Sequence, residues 1–192
     1  MENIEQLFVV EKSSHTYEGD IEHLRESVMN LNITTQQYSQ KGGHQSTHLI
    51  NKKPEFKELS QWIEECSKDL SNRVGVNKKL SILDMWANIN TGLNSWNARH
   101  MHGGILSGVI WISAPEGSGN IVFDNPIPLE YWTQNIIDTH SEISLKINNT
   151  NTSQFTYKPQ EKTLLLWPSY LHHMVEPNKK NVQRMSISFN LG

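Results

Sequence analysis

Two histidines two positions apart, His100 and His102, sit in the stretch Trp96-Asn97-Ala98-Arg99-His100-Met101-His102-Gly103-Gly104. On a β-strand their side chains leave the same face, with backbones about 7 Å apart, so both imidazoles can converge on one cation. A second histidine pair comes much later, in Leu171-His172-His173-Met174-Val175, and Arg184 follows His173 by eleven residues. A histidine pair, a distant third histidine and a trailing arginine suggest a metal site with an anion anchor beside it. The plain alternatives are a polar strand edge with solvated imidazoles and an arginine in a structural salt bridge.

Of the two later histidines, His173 is the expected ligand. On a strand over residues 172–176 it shares a face with Val175, as a ligand pointing into a barrel should, and His172 points the other way. On Arg184-Met185-Ser186, Arg184 and Ser186 face the same way. A guanidinium fork and a hydroxyl can then grip one carboxylate, which a lysine cannot imitate. An unpaired arginine inside a barrel is costly, so a partner is expected: an Asp or Glu of the chain, or a bound dicarboxylate. Catalytic iron(II) is usually held by two histidines and one carboxylate with open positions opposite. Here the candidate ligands are His100, His102 and His173, a set that zinc would also accept. Asp124 is the nearest carboxylate downstream and a candidate to approach the metal from the next strand.

The elements that must carry these residues are legible in the pattern. A short run of β formers, residues 7–10, reads as a strand. From Asp20, a reasonable N-cap, the spacing of Ile21, Leu24, Val28 and Leu31 predicts an amphipathic helix. Residues 32–48 are mostly polar and punctuated by Gly42-Gly43. A second helix starts near Pro54, with Phe56, Leu59, Trp62, Ile63, Cys66 and Leu70 as its apolar stripe. After Gly75 the period changes to 2. Strands are expected around Leu80 and Ile82 and over 85–90, 105–113, 120–123, 143–147, 154–157, 163–167, 172–176 and 184–191, with a polar insert after Phe123 and a turn over 148–152. Short strands separated by turn signals predict a mainly β fold with N-terminal helices, a β-sandwich or jelly roll, the helices packing on one sheet. The chain reads as one domain, with 1–75 as helical support and 76–192 as the core that carries the metal site.

The 192 residues suffice for one real core, and a net charge of −3 marks neither a general nucleic-acid binder nor a membrane binder. One cysteine, Cys66, excludes an intramolecular disulfide and fits a reducing compartment. No stretch of about 18 apolar residues exists, and no apolar run follows a basic start. The expectation is a soluble protein of the cytoplasm. His15, His23, His44, His48 and His140 read as ordinary surface or core residues, and Trp111 and Met101 as packing.

Taken together, certain blocks resemble the iron(II)/2-oxoglutarate-dependent oxygenases, and more narrowly a small branch of them found in phages and marine bacteria. They are Trp86-Ala87-Asn88, Asn97 to His102, Leu106-Ser107-Gly108-Val109-Ile110-Trp111, Gly119-Asn120-Ile121-Val122-Phe123, Leu164-Leu165-Leu166-Trp167-Pro168-Ser169, Leu171 to Val175 and Arg184 to Asn190, with a weaker block at Gly42-Gly43-His44-Gln45-Ser46. The resemblance implies a double-stranded β-helix with iron(II) at its mouth, held by His100, His102 and His173. It implies 2-oxoglutarate as cosubstrate, its far carboxylate on Arg184 and Ser186, with Asn88 or Asn90 hydrogen-bonded to it. Dioxygen is the second cosubstrate and ascorbate a supporting reductant, and a substrate C–H is hydroxylated with release of succinate and carbon dioxide. One departure stands out: the superfamily carries Asp or Glu where this chain has His102, although the narrower branch shares the His-x-His form. Three neutral imidazoles leave the site one positive charge higher, which favours an anionic cosubstrate. A metal-binding jelly roll without turnover and a three-histidine dioxygenase without 2-oxoglutarate stay open as alternatives. The substrate also stays open, and an exposed edge strand could template a homodimer.

Overall fold

Strands that alternate two kinds of apolar surface, or an apolar and a polar surface, must be covered on both faces. The computed structural model, which describes residues 7–34, 39–139, 146–148 and 151–192, shows how. The elements are β1 (Ser13–Thr16), α1 (Ile21–Met29), β2 (Ile33–Thr34), β3 (Gln40–Lys41), β4 (Gly43–Ser46), α2 (Lys57–Arg73), β5 (Ile82–Thr91), β6 (Trp96–His100), β7 (Leu106–Ser113), β8 (Ile121–Asp124), α3 (Glu130–Thr139), β9 (Gln154–Tyr157), β10 (Thr163–Pro168), β11 (His173–Val175) and β12 (Gln183–Leu191). They form a seven-stranded sheet, β1-β10-β7-β12-β5-β4-β2, and a five-stranded sheet, β3-β6-β11-β8-β9. From β5 to β12 the chain passes repeatedly between the sheets, and the strand pairings among the described residues are antiparallel. This is the mainly β, double-stranded β-helix with N-terminal helices expected from the sequence.

The larger sheet is buried on both faces. Ile110 and Ile112 of β7, Leu164 and Leu166 of β10, and Met185, Ile187 and Phe189 of β12 pack with Leu24, Val28, Leu59 and Ile63 of the helices. Their neighbours Val109, Trp111, Leu165 and Trp167 pack with Ile121, Phe123 and Leu171 in a second core. Burial on both faces explains why 105–113 reads as a near-continuous apolar run. On β5 and β12 the helix-facing residues are again apolar, but the residues alternating with them are Trp86, Asn88 and Asn90, and Arg184, Ser186 and Ser188. All six are buried. Polar side chains in the interior of a sandwich must find partners or a ligand, and this wall is where the site lies.

Several local expectations need correction. Residues 7–10 are not a strand: Ser13–Thr16 takes the edge beside β10, and Leu7 to Val10 run along a groove bordered by Phe123, Phe155 and Leu171. The first helix does begin where Asp20 caps it, with the His23 N–H donating to Asp20 Oδ1 at 3.0 Å, but it stops at Met29, short of Leu31. The second begins as a 3-10 turn, Pro54–Phe56, before α2. The polar stretch 32–48 holds three short strands, and the insert after Phe123 holds α3. The strand expected over 143–147 lies largely outside the described residues, as do His140 and residues 149–150 of the expected turn. No helix among the described residues is long and apolar enough to cross a membrane.

Candidate active site

His100 closes β6 and His173 opens β11, and the two are directly paired across the smaller sheet. His102 lies two residues beyond the end of β6, so strand geometry does not orient it. A turn does instead: the His102 N–H donates to the Ser169 carbonyl at 3.2 Å, and the chain then reverses through Gly103-Gly104. The donor atoms of the three imidazoles lie within 4.8 Å of one another. His100 and His173 each place Nδ1 against a backbone carbonyl, of Ala98 at 2.6 Å and Leu171 at 3.0 Å. Donating that N–H fixes the ring and leaves Nε2 as the free lone pair, the usual support for a metal-binding histidine. Trp167 and Phe123 back the His173 ring, and Trp86 packs beside His102.

Burial keeps these rings neutral. It pushes His173 down to about 3 and His102 down to about 4, with His100 adding to both, and it lowers His100 as well. Uncharged imidazoles converging on one point suit a borderline divalent cation such as iron(II). No carboxylate joins this cluster among the described residues. Asp124, raised as a candidate, alternates with the inward Phe123 and turns away, meeting Arg99 Nε at 3.1 Å and Gln154 Nε2 at 3.1 Å. His172 is exposed, as expected.

Arg184 is 2 % exposed and lines the same cavity as the three histidines. It donates to the Gly119 carbonyl at 3.1 Å and to Asn90 Oδ1 at 2.7 Å and Asn97 Oδ1 at 3.3 Å. It has no ion-pair partner among the described residues, and its Nε–H is unmatched. Burial lowers it to about 10, which leaves it a cation at neutral pH. Ser186 and Asn88 line the cavity, whereas Asn90 stands behind Arg184 and holds it. Gln45, Asn97, Gly119 and Trp167 also shape this wall or its support. All four fall in the blocks that carry the family resemblance, Gln45 in the weaker one at residues 42–46, but sequence reasoning gave none of them a role in binding.

A family model described as "Putative 2OG-Fe(II) oxygenase" matches residues 84–190, more than half of the chain. The chain belongs to that family. This oxygenase is therefore an oxidoreductase that uses iron(II), 2-oxoglutarate and dioxygen. Solved structures share its fold. One is a prolyl-4-hydroxylase from Pseudomonas putida, at 9% identity and a TM-score of 0.59, covering 93% of this chain and 91% of that one. Another is HygX from Streptomyces hygroscopicus with nickel and 2-oxoglutarate bound, at 14% identity and a TM-score of 0.63, covering 94% and 82%. A third is the viral collagen prolyl hydroxylase of Paramecium Bursaria Chlorella virus-1, at 10% identity and a TM-score of 0.56, covering 94% of both chains. No curated protein matches this oxygenase in sequence.

Proposed function

We propose that His100, His102 and His173 hold the iron(II), and that Arg184 with Ser186 holds the far carboxylate of 2-oxoglutarate on a wall that Asn88 completes. The reaction converts a substrate C–H, 2-oxoglutarate and dioxygen into the hydroxylated substrate, succinate and carbon dioxide. The observation that carries this reading is Arg184, a buried cation that has one unmatched N–H and lines the same cavity as three neutral imidazoles. Such a group is destabilising until an anion meets it, and a dicarboxylate reaching the metal supplies one.

Dioxygen is the oxidant; iron(II), when bound, would activate it, and 2-oxoglutarate would supply two of the four electrons that reduce it. The chain supplies position. Ala98 and Leu171 aim two of the imidazoles through their carbonyls. Asn90 and Asn97 are positioning residues: they anchor one arm of the guanidinium. Phe123 and Trp167 keep water from behind His173. We read residues 1–192 as one domain. Cys66, its thiol pushed up to about 11 by burial, is a poor nucleophile, which suits a protein of the reducing cytoplasm. Strand β9, at the edge of the smaller sheet, is the edge a second copy would pair with.

The test is succinate formation from 2-oxoglutarate with iron(II), ascorbate and air. Wild type forms succinate. Arg184→Ala loses at least about thirtyfold in kcat/KM for 2-oxoglutarate, the usual cost of removing one partner of a buried charge pair. Equal rates in the two proteins would contradict the assignment.

A further inference from the structure

Strand register orders the inner wall in rungs. Trp86, which packs beside His102, pairs with Ser188. The next rung holds Asn88, flanked by Ser186 on β12 and Gln45 on β4. The third holds Asn90 and Arg184. A dicarboxylate reaching from the histidines to Arg184 must cross the middle rung. Gln45 lines the cavity there and is 4 % exposed. Its Nε2 donates to Asn88 Oδ1 at 2.7 Å, and Asn88 Nδ2 donates to Ser188 Oγ at 3.0 Å. Gln45 Oε1 is left buried with no hydrogen-bond partner.

This chain of three can run in either sense, because a hydroxyl both donates and accepts and an amide carries a donor and an acceptor on one plane. Turn both amides over and Ser188 donates to Asn88 Oδ1, and Asn88 Nδ2 donates to Gln45 Oε1. The group left facing the cavity is then Gln45 Nε2, a donor. Every bond of the chain is kept, and only the polarity of its free end changes. An anion in the cavity selects the sense that ends in a donor, since a hydrogen bond to a charged acceptor outweighs one between neutral groups.

We propose that Gln45 is a cosubstrate-binding residue, donating through Nε2 to a carboxylate oxygen of 2-oxoglutarate, with Asn88 and Ser188 setting its sense from behind. The assignment rests on the reading of Arg184 above. Asn88 becomes a positioning residue, because both ends of its amide are used inside the chain.

The experiment is a calorimetric titration of 2-oxoglutarate into the full chain loaded with nickel(II), for wild type, Gln45→Met, Gln45→Glu and Arg184→Ala. Methionine keeps the bulk and removes the donor. Glutamate keeps the shape and adds a negative charge. Gln45→Met is expected to weaken binding about tenfold and Gln45→Glu by more, the range for one hydrogen bond to a charged group. Nickel affinity is expected to stay at the wild-type value in both, a readout that a general loss of structure would not spare. Should Gln45→Glu fail to fold, Gln45→Met carries the test. If Arg184→Ala loses binding while the folded Gln45 variants bind like wild type, the Gln45 assignment is overturned and the Arg184 reading stands. If wild type itself takes up no 2-oxoglutarate, both fall.

Discussion

A guanidinium in a protein interior is held against its own desolvation. Arg184 has three acceptors, all uncharged oxygens of Gly119, Asn90 and Asn97, so its charge is solvated but not balanced. The imidazoles show the opposite response to burial: they give up the charge. Their folded-state values, about 3 for His173 and about 4 for His102, lie below the unfolded value near 6.5. Below that unfolded value the unfolded chain binds protons that the folded chain refuses, so the stability these groups support is full above it and is lost as pH falls toward 4. The slope is at most about 1.4 kcal/mol per pH unit for each imidazole. The metal-free chain should therefore lose thermal stability steadily from pH 7 to pH 4.5, and His173→Gln should flatten that decline. A midpoint that does not change with pH in wild type would contradict it. At this scale the sequence was informative where residue type is scarce. A His-x-His, a later histidine and one arginine on an apolar strand stand out, whereas Gln45 and Gly119 do not, because their role comes from where the sheets place them.

At the scale of elements, the site depends on close approach between loops as much as on strands. Gly119, just before β8, accepts from Arg184 with its carbonyl and donates its N–H to Asn178 Oδ1. A Cβ there would overlap the Glu176 carbonyl oxygen and lie 2.6 Å from its carbon. Gly119→Ala should cost about 1–3 kcal/mol, the range for overpacking, and raise the KM for 2-oxoglutarate by displacing the carbonyl that holds Arg184. Thermal unfolding and succinate kinetics check the two effects, and an unchanged KM would remove Gly119 from the account. The strands that carry the site were legible because apolar residues alternate with a second pattern over 85–90 and 184–191. The short strands of residues 33–46 were not, since polar two- to four-residue strands take their form from the sheet they join. His102 lies beside His100 and His173, but a turn rather than the expected strand brings it there.

At the scale of the molecule, the helices brace the outer face of the sheet whose inner face carries the candidate site. Leu59 of α2 is fully buried in the cluster that includes Ile110 and Ile187, back to back with Trp111 and Ser186. Leu59→Ala should cost about 2–5 kcal/mol, and helices and sheets should still melt in one transition, whereas two would contradict a single domain. That reading was available from the order of the elements, helices first and then strands. What the order could not give is the pairing of β6 with β11, which joins His100 and His173, 73 positions apart in the chain. The measurement that reaches this juxtaposition most directly is anaerobic equilibrium dialysis with iron(II). The account predicts one ion per chain for wild type and for His172→Ala, whose ring points to solvent, and none retained by His173→Ala. Equal loss in the two variants, or full retention in His173→Ala, would contradict the convergence of His100, His102 and His173 on a single metal.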